Sequence, residues 1–121
     1  MRADELEKQL KALQLLRPDL QYHGFNYKEH RTYGKLDVRE VSICLQWIEA
    51  NKQYITKSVR KDHSSYGWKH VVERWVRSHN YPAYVSNGSF IAAAYVYGLK
   101  VQKIGGPNAW VNISKKAYSY V

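Results

Sequence analysis

The side chains most able to do chemistry in this chain are cations. Lys57, Arg60, Lys61, Lys69, Arg74, Arg77, Lys100 and Lys103 all fall after residue 51, with Lys115 and Lys116 close behind. Lysine and arginine bind phosphate oxygens, and serine, threonine and asparagine add hydrogen bonds to the same atoms. Thr56 and Ser58 are interleaved with Lys57 and Arg60, and Ser86 and Asn87 stand at the start of an apolar run. The expected nucleic-acid-binding set is therefore Lys57, Arg60, Lys61, Lys69, Arg74, Arg77, Ser86, Asn87, Lys100 and Lys103.

Charge is divided unevenly along the chain. Residues 1–51 hold eight Lys/Arg and eight Asp/Glu, whereas residues 52–121 hold eleven Lys/Arg against Asp62 and Glu73 alone. The whole net charge of +9 thus sits in the second half. Such asymmetry points to a polyanionic partner, DNA before RNA, with an acidic protein surface as the competing partner. A basic surface that only aids solubility is the plainer alternative.

Other chemistries find less support. The residues form no paired-carboxylate site, phosphate-cradling glycine loop or zinc-ligand spacing, so neither an enzyme, a metal nor a cofactor is expected. His63, His70 and Glu73 are the nearest approach to a metal set, but their spacing matches no zinc signature. Cys44 lacks an activating neighbour and reads as a small core residue. One cysteine precludes an internal disulfide, and no run of 18 apolar residues is present. With a mixed-charge start rather than an apolar leader, the expectation is a cytoplasmic protein without a membrane span.

The elements that must position these residues follow from periodicity. A single domain over 1–121 is expected, mainly α with a small β-hairpin (α+β), containing four helices. In the N-terminal segment 1–18, Ala3, Leu6, Leu10, Leu13 and Leu16 predict a helix over 3–16 that ends at Arg17-Pro18. It either packs on the domain as part of a monomer or pairs with a second copy as a homodimer. Residues 19–36 read as irregular, with Tyr22, Phe25, Tyr27 and Tyr33 anchoring a loop on the core or, beside Lys28, His30 and Arg31, stacking bases.

Asp37 opens a second helix over 37–51, with Glu40 completing a capping-box-like pair and Asn51 expected as a left-handed cap. Residues 52–63 carry a weak strand signal against a loop reading. Ser64 or Ser65 caps a third helix that runs to about Ser78, with Trp68, Val71, Val72, Trp75, Val76 and His79 within its apolar arc. Lys69, His70, Glu73, Arg74 and Arg77 fill the opposite side and are expected in solvent. Asn80-Tyr-Pro-Ala is a link. Ser86 caps an uncharged fourth helix, Asn87 to Tyr97, that should be the most buried, with Gly98 as its left-handed stop. Its polar first turn suggests either a simple cap or a phosphate seat. Gly105-Gly-Pro-Asn108 joins two alternating runs into a hairpin, and residues 117–121 form a short tail.

Three runs carry a resemblance: Ser65-Tyr-Gly-Trp-Lys-His-Val-Val-Glu73, Tyr84-Val-Ser-Asn-Gly-Ser-Phe-Ile-Ala-Ala-Ala94 with Gly98, and Pro107-Asn-Ala-Trp-Val-Asn-Ile-Ser114. They resemble small, uncharacterised basic proteins of phages and other mobile elements. The resemblance implies a genomic setting of regulators, replication accessories and inhibitors of host defence, and no specific activity. The helix–helix–hairpin order of the basic half also resembles a winged helix-turn-helix, although the uncharged fourth helix departs from a base-reading one. The expected function is phosphate-dominated nucleic-acid binding. The alternative is an inhibitor that sets the same basic face against a host defence or nucleic-acid machine.

Overall fold

The structure is a computed structural model that describes residues 1–25, 35–79 and 84–120, with side chains through Ala117. Tyr27, Lys28, His30, Arg31 and Tyr33, and the link from Asn80 to Ala83, lie outside the described residues.

Helix α1 spans Ala3–Leu16 and buries Leu6 and Leu10 against α2 and α4. Leu16 does not extend this stripe: it is 81% exposed. At 100° per residue it lies about 80° round from Leu6, beyond the edge of the packed face. The next segment is not wholly irregular. Leu20–Gln21 (β1) and Gly24–Phe25 (β2) form a minimal antiparallel hairpin, and Leu20 and Phe25 are buried opposite each other. Gly24 has φ of +117°, a conformation that a side chain would strain.

Helix α2 spans Val38–Ala50, and the Asp37 carboxylate caps it by accepting from the Arg39 and Glu40 N–H groups. The reciprocal half of a capping box is absent, because the Glu40 side chain is used elsewhere. Asn51 ends the helix at φ −119°, so it is not a left-handed cap; its side-chain amide instead donates to the Trp47 carbonyl. A 3₁₀ turn, Lys52–Tyr54, leads into β3, Ile55–Ser64. The weak alternation there does make a strand.

Helix α3, Ser65–Arg77, has Ser64 at its N-cap position, but the Ser64 side chain makes no capping hydrogen bond; α4, Asn87–Tyr97, starts from Ser86. The Ser86 hydroxyl accepts from the Ser89 N–H, and Gly98 closes α4 at φ +99°. Every residue from Asn87 to Ala94 is buried, as an uncharged helix requires. Strands β4 (Val101–Gly105) and β5 (Asn108–Ile113) form the expected hairpin, and the antiparallel sheet order is β3–β5–β4.

The fold is thus α+β, with four helices and two small antiparallel sheets among the described residues. The buried apolar residues form one cluster around α4. Trp47 and Trp68 meet at 5.5 Å between ring centroids and Trp47 and Phe90 at 6.2 Å. Trp75 is only half-buried at the margin, and His79, expected in the same apolar arc, is exposed beyond the end of α3. Cys44 lies inside the cluster, where burial pushes its thiol pKa up. Among the described residues no helix is long and apolar enough to cross a membrane.

Candidate nucleic-acid interface

Three of the expected phosphate ligands are interior residues. Lys69 is only 4% exposed, although the α3 pattern places it away from Trp68 and Trp75. The reason is a second layer over this side of α3. The Lys69 ammonium lies 3.3 Å from the Glu73 carboxylate and 4.3 Å from the Tyr84 ring centroid. Glu73 also accepts from the Val85 N–H at 3.2 Å and lies 3.0 Å from His70 Nδ1. A buried cation needs such a counter-charge, and a buried carboxylate needs donors for its remaining lone pairs.

Ser86 and Asn87 are likewise buried, at 0% and 5% exposure. The positive end of α4 is already occupied by a carboxylate from within the protein. Glu40 accepts from the Ser86 N–H at 2.8 Å, the Ser89 hydroxyl at 3.0 Å and the Tyr22 hydroxyl at 2.6 Å. Burial and this carboxylate hold the Tyr22 phenol well above its ordinary pKa. The Gly88 N–H donates to the Tyr22 carbonyl and the Ser89 N–H to Ser86, so these first-turn donors are taken. Asn87 ties three segments together, its amide reaching the Pro107 carbonyl (3.1 Å), Asn108 Oδ1 (2.9 Å) and the His23 carbonyl (3.4 Å). The Phe25 N–H donates to the Pro107 carbonyl as well. The β4–β5 turn is therefore docked on the N-terminal hairpin. It does not stand out as a wing, and α4 presents no face to a DNA groove.

The remaining cations are on the surface. Lys57, Arg60 and Lys61 are exposed along β3. Pairing of β3 with β5 is irregular: Ile55, Arg60 and Ser64 face Ile113, Val111 and Trp110, so β3 advances much further than its partner between these points. The surplus residues bulge from the ladder, and bulges redirect side chains. The Lys100 ammonium donates to the Lys57 carbonyl, bringing it to the same edge. Asn112 holds both strands in place, its amide donating to the Thr56 carbonyl and its oxygen accepting from the Lys100 N–H. Lys115 and Lys116 follow directly, where the Ser114 N–H donates to the Tyr54 carbonyl.

Helix α3 adds Arg74 and Arg77, both exposed. Arg74 and Lys115 lie within electrostatic reach of His63, at the end of β3. Burial lowers the His63 pKa first, and these two cations lower it further against the opposing effects of Gly67 and Asp62. The structure thus groups Lys57, Arg60, Lys61 and Lys100 around β3, with Lys115 and Arg74 converging on its end. Lys103 does not belong with Arg74. It sits on β4, the other edge of the sheet, paired with Asp19 and 4.9 Å from the Phe25 ring centroid.

Sparse acid completes the electrostatics. In residues 52–121 Glu73 is buried and Asp62 is the one exposed carboxylate, 3.8 Å from Arg60. Among the described residues no group of three His, Cys, Asp or Glu side chains could hold a metal. The surface is suited to electrostatic recognition of an extended polyanion. Its strand was only faintly legible in sequence. The pairing of Lys69 with Glu73, the last acid of the chain and one helical turn beyond it, was legible from their spacing, but the burial of the pair was not. Compared with protein-family models, curated proteins and solved structures, the chain matches none.

Proposed function

We propose that the protein binds nucleic acid, DNA first, and holds it chiefly by phosphates on the surface made by β3, Lys100, Lys115 and Lys116 and the exposed side of α3. One observation carries this reading. The only acid besides Asp62 in the second half is sequestered with Lys69, so Asp62 is the one exposed side-chain carboxylate that residues 52–121 bring to a surface rich in Lys and Arg. Each neutralised phosphate releases counterions, so such a surface favours nucleic acid with little dependence on sequence. The buried α4 and docked β4–β5 turn argue against groove reading by a helix and wing. A role as a regulator or replication accessory of a phage or mobile element, in the cytoplasm, is the setting that suits a small basic binder.

Binding to random duplex DNA, single-stranded DNA and RNA, each at two salt concentrations, tests the reading. Affinity that falls steeply with salt supports it, and absence of binding at low salt refutes it. A second reading rests on β3 being a sheet edge. An inhibitor of a protein machine could set an acidic, extended segment of its partner along that edge. In that case the protein partner would bind tightly while all three nucleic acids would not.

A further inference from the structure

We infer that the exposed side of α3 is a base-stacking platform, so that the preferred partner is single-stranded nucleic acid with unpaired bases. This rests on the phosphate-binding reading and names the strand form that the surface would take. Tyr66, His70, Arg74 and Arg77 recur at spacings of four, four and three, which places them on one face of α3. Tyr84, from the segment that leads into α4, joins this face through Lys69.

The two tyrosines are held yet open. The Lys69 ammonium lies 5.5 Å from the Tyr66 ring centroid and 4.3 Å from that of Tyr84. Lys69 is itself fixed by Glu73, so one buried cation positions both rings. The His70 ring meets Tyr66 edge-on at 4.6 Å and is anchored in turn by Glu73. Even so, Tyr66 is 52% and Tyr84 53% exposed, among the most exposed large hydrophobic residues described. A tyrosine that served only the core would bury its ring and leave the hydroxyl in water. Here solvent reaches rings whose geometry is already set, so little entropy would be lost on stacking a base.

Charge complementarity selects the occupant. Arg74 and Arg77 continue the same face about two and three turns beyond Tyr66, so a strand stacked on Tyr66 or Tyr84 would carry its phosphates towards guanidinium groups. Tyr66 to Arg77 spans about 16 Å of helix, the length of a few nucleotides. Duplex DNA hides its base faces in the stack and would gain only the phosphate contacts. A single strand would gain both, as in other proteins that combine a basic track with aromatic side chains.

The test uses the full chain and three probes of equal length: a single strand of thymidines, a single strand of abasic sites, and a duplex, at one salt concentration. The expected result is binding to the thymidine strand about tenfold or more tighter than to the abasic strand, the scale of one base–aromatic stack. Tyr66→Leu with Tyr84→Leu should abolish that difference while leaving abasic affinity unchanged, and the Tyr→Phe pair should retain it. Equal affinity of the unmutated protein for thymidine and abasic strands overturns the inference and leaves phosphate binding intact. Failure to bind any of the three overturns both.

Discussion

Replacing Glu73 by alanine removes the counter-charge of Lys69 without touching any residue of the exposed cationic surface. The two side chains are 6% and 7% exposed, so water cannot solvate the ammonium that remains. The Val85 N–H would also lose its acceptor. Breaking a buried ion pair from one side costs about 3–5 kcal/mol. For a chain of this size each kcal/mol lowers the melting temperature by about 4 °C. Glu73→Ala should therefore melt about 12–20 °C below the unmutated protein at pH 7, followed by circular dichroism. Lys69→Met with Glu73→Gln removes both charges and keeps an acceptor for Val85, and should recover most of that loss. A cost under about 1 kcal/mol for Glu73→Ala is the value for an exposed pair. It would return Lys69 to the surface and refute the account of the α3 interior.

Three further outcomes follow from the packing. Trp68→Ala should cost about 3–5 kcal/mol in chemical denaturation, and Trp75→Ala clearly less, since Trp75 is half-buried; equal costs would contradict the assigned core. Gly88→Ala, normally favourable inside a helix, should instead destabilise by about 2 kcal/mol or more. A Cβ there would lie 1.9 Å from the Gln21 carbonyl oxygen and 2.4 Å from that of Tyr22, and a stabilised variant would show that β1–β2 does not rest on α4. His63 has its pKa lowered in the fold, so below its unfolded value of about 6.5 the unfolded chain binds the proton more readily. Stability should therefore fall as pH drops from about 6.5 to the lowered folded value and level off below it. His63→Phe, which keeps a ring against Trp68 (4.4 Å between centroids), should flatten that part of the profile; an unchanged slope would assign the titration elsewhere.

Local elements were legible because their signals are local. The Asp37 and Ser86 caps, the Gly98 stop and the glycine-rich turn at 105–106 each depend on residues a few positions apart, and all appear where expected. The uncharged run from Phe90 to Ala94 marked the buried helix, since nothing in it requires water. What sequence could not show is which side chains meet across the chain. Glu40 looked like half of a capping box, yet it reaches Ser86 and Ser89, more than forty residues away. Asn87 looked like a phosphate donor and instead joins the N-terminal hairpin to the β4–β5 turn. Lys69 looked solvated because a helical wheel assumes one packed side, whereas α3 has Tyr84 and Val85 against another. Several polar residues of the runs 65–73, 84–94 and 107–114, among them Ser65, Glu73, Ser86, Asn87 and Asn112, thus make internal ties. For the proposed binding surface, the charge division was visible in sequence, but the joining of Lys57 to Lys100 depends on β3 entering the sheet.

The central claim is that the surface around β3 holds phosphates, and salt titration of nucleic-acid affinity tests it most directly. If about five of the cations on this surface neutralise phosphates, the logarithm of the duplex binding constant should fall with the logarithm of salt at a slope near −4.5. Arg60→Gln, Lys61→Gln and Lys115→Gln should each lower the slope by about 1 when the residue meets a phosphate, with melting temperatures nearly unchanged. Lys103→Gln, on the far edge of the sheet, should leave the slope as it is. A flat salt dependence, or no binding at about 50 mM salt, would contradict the account.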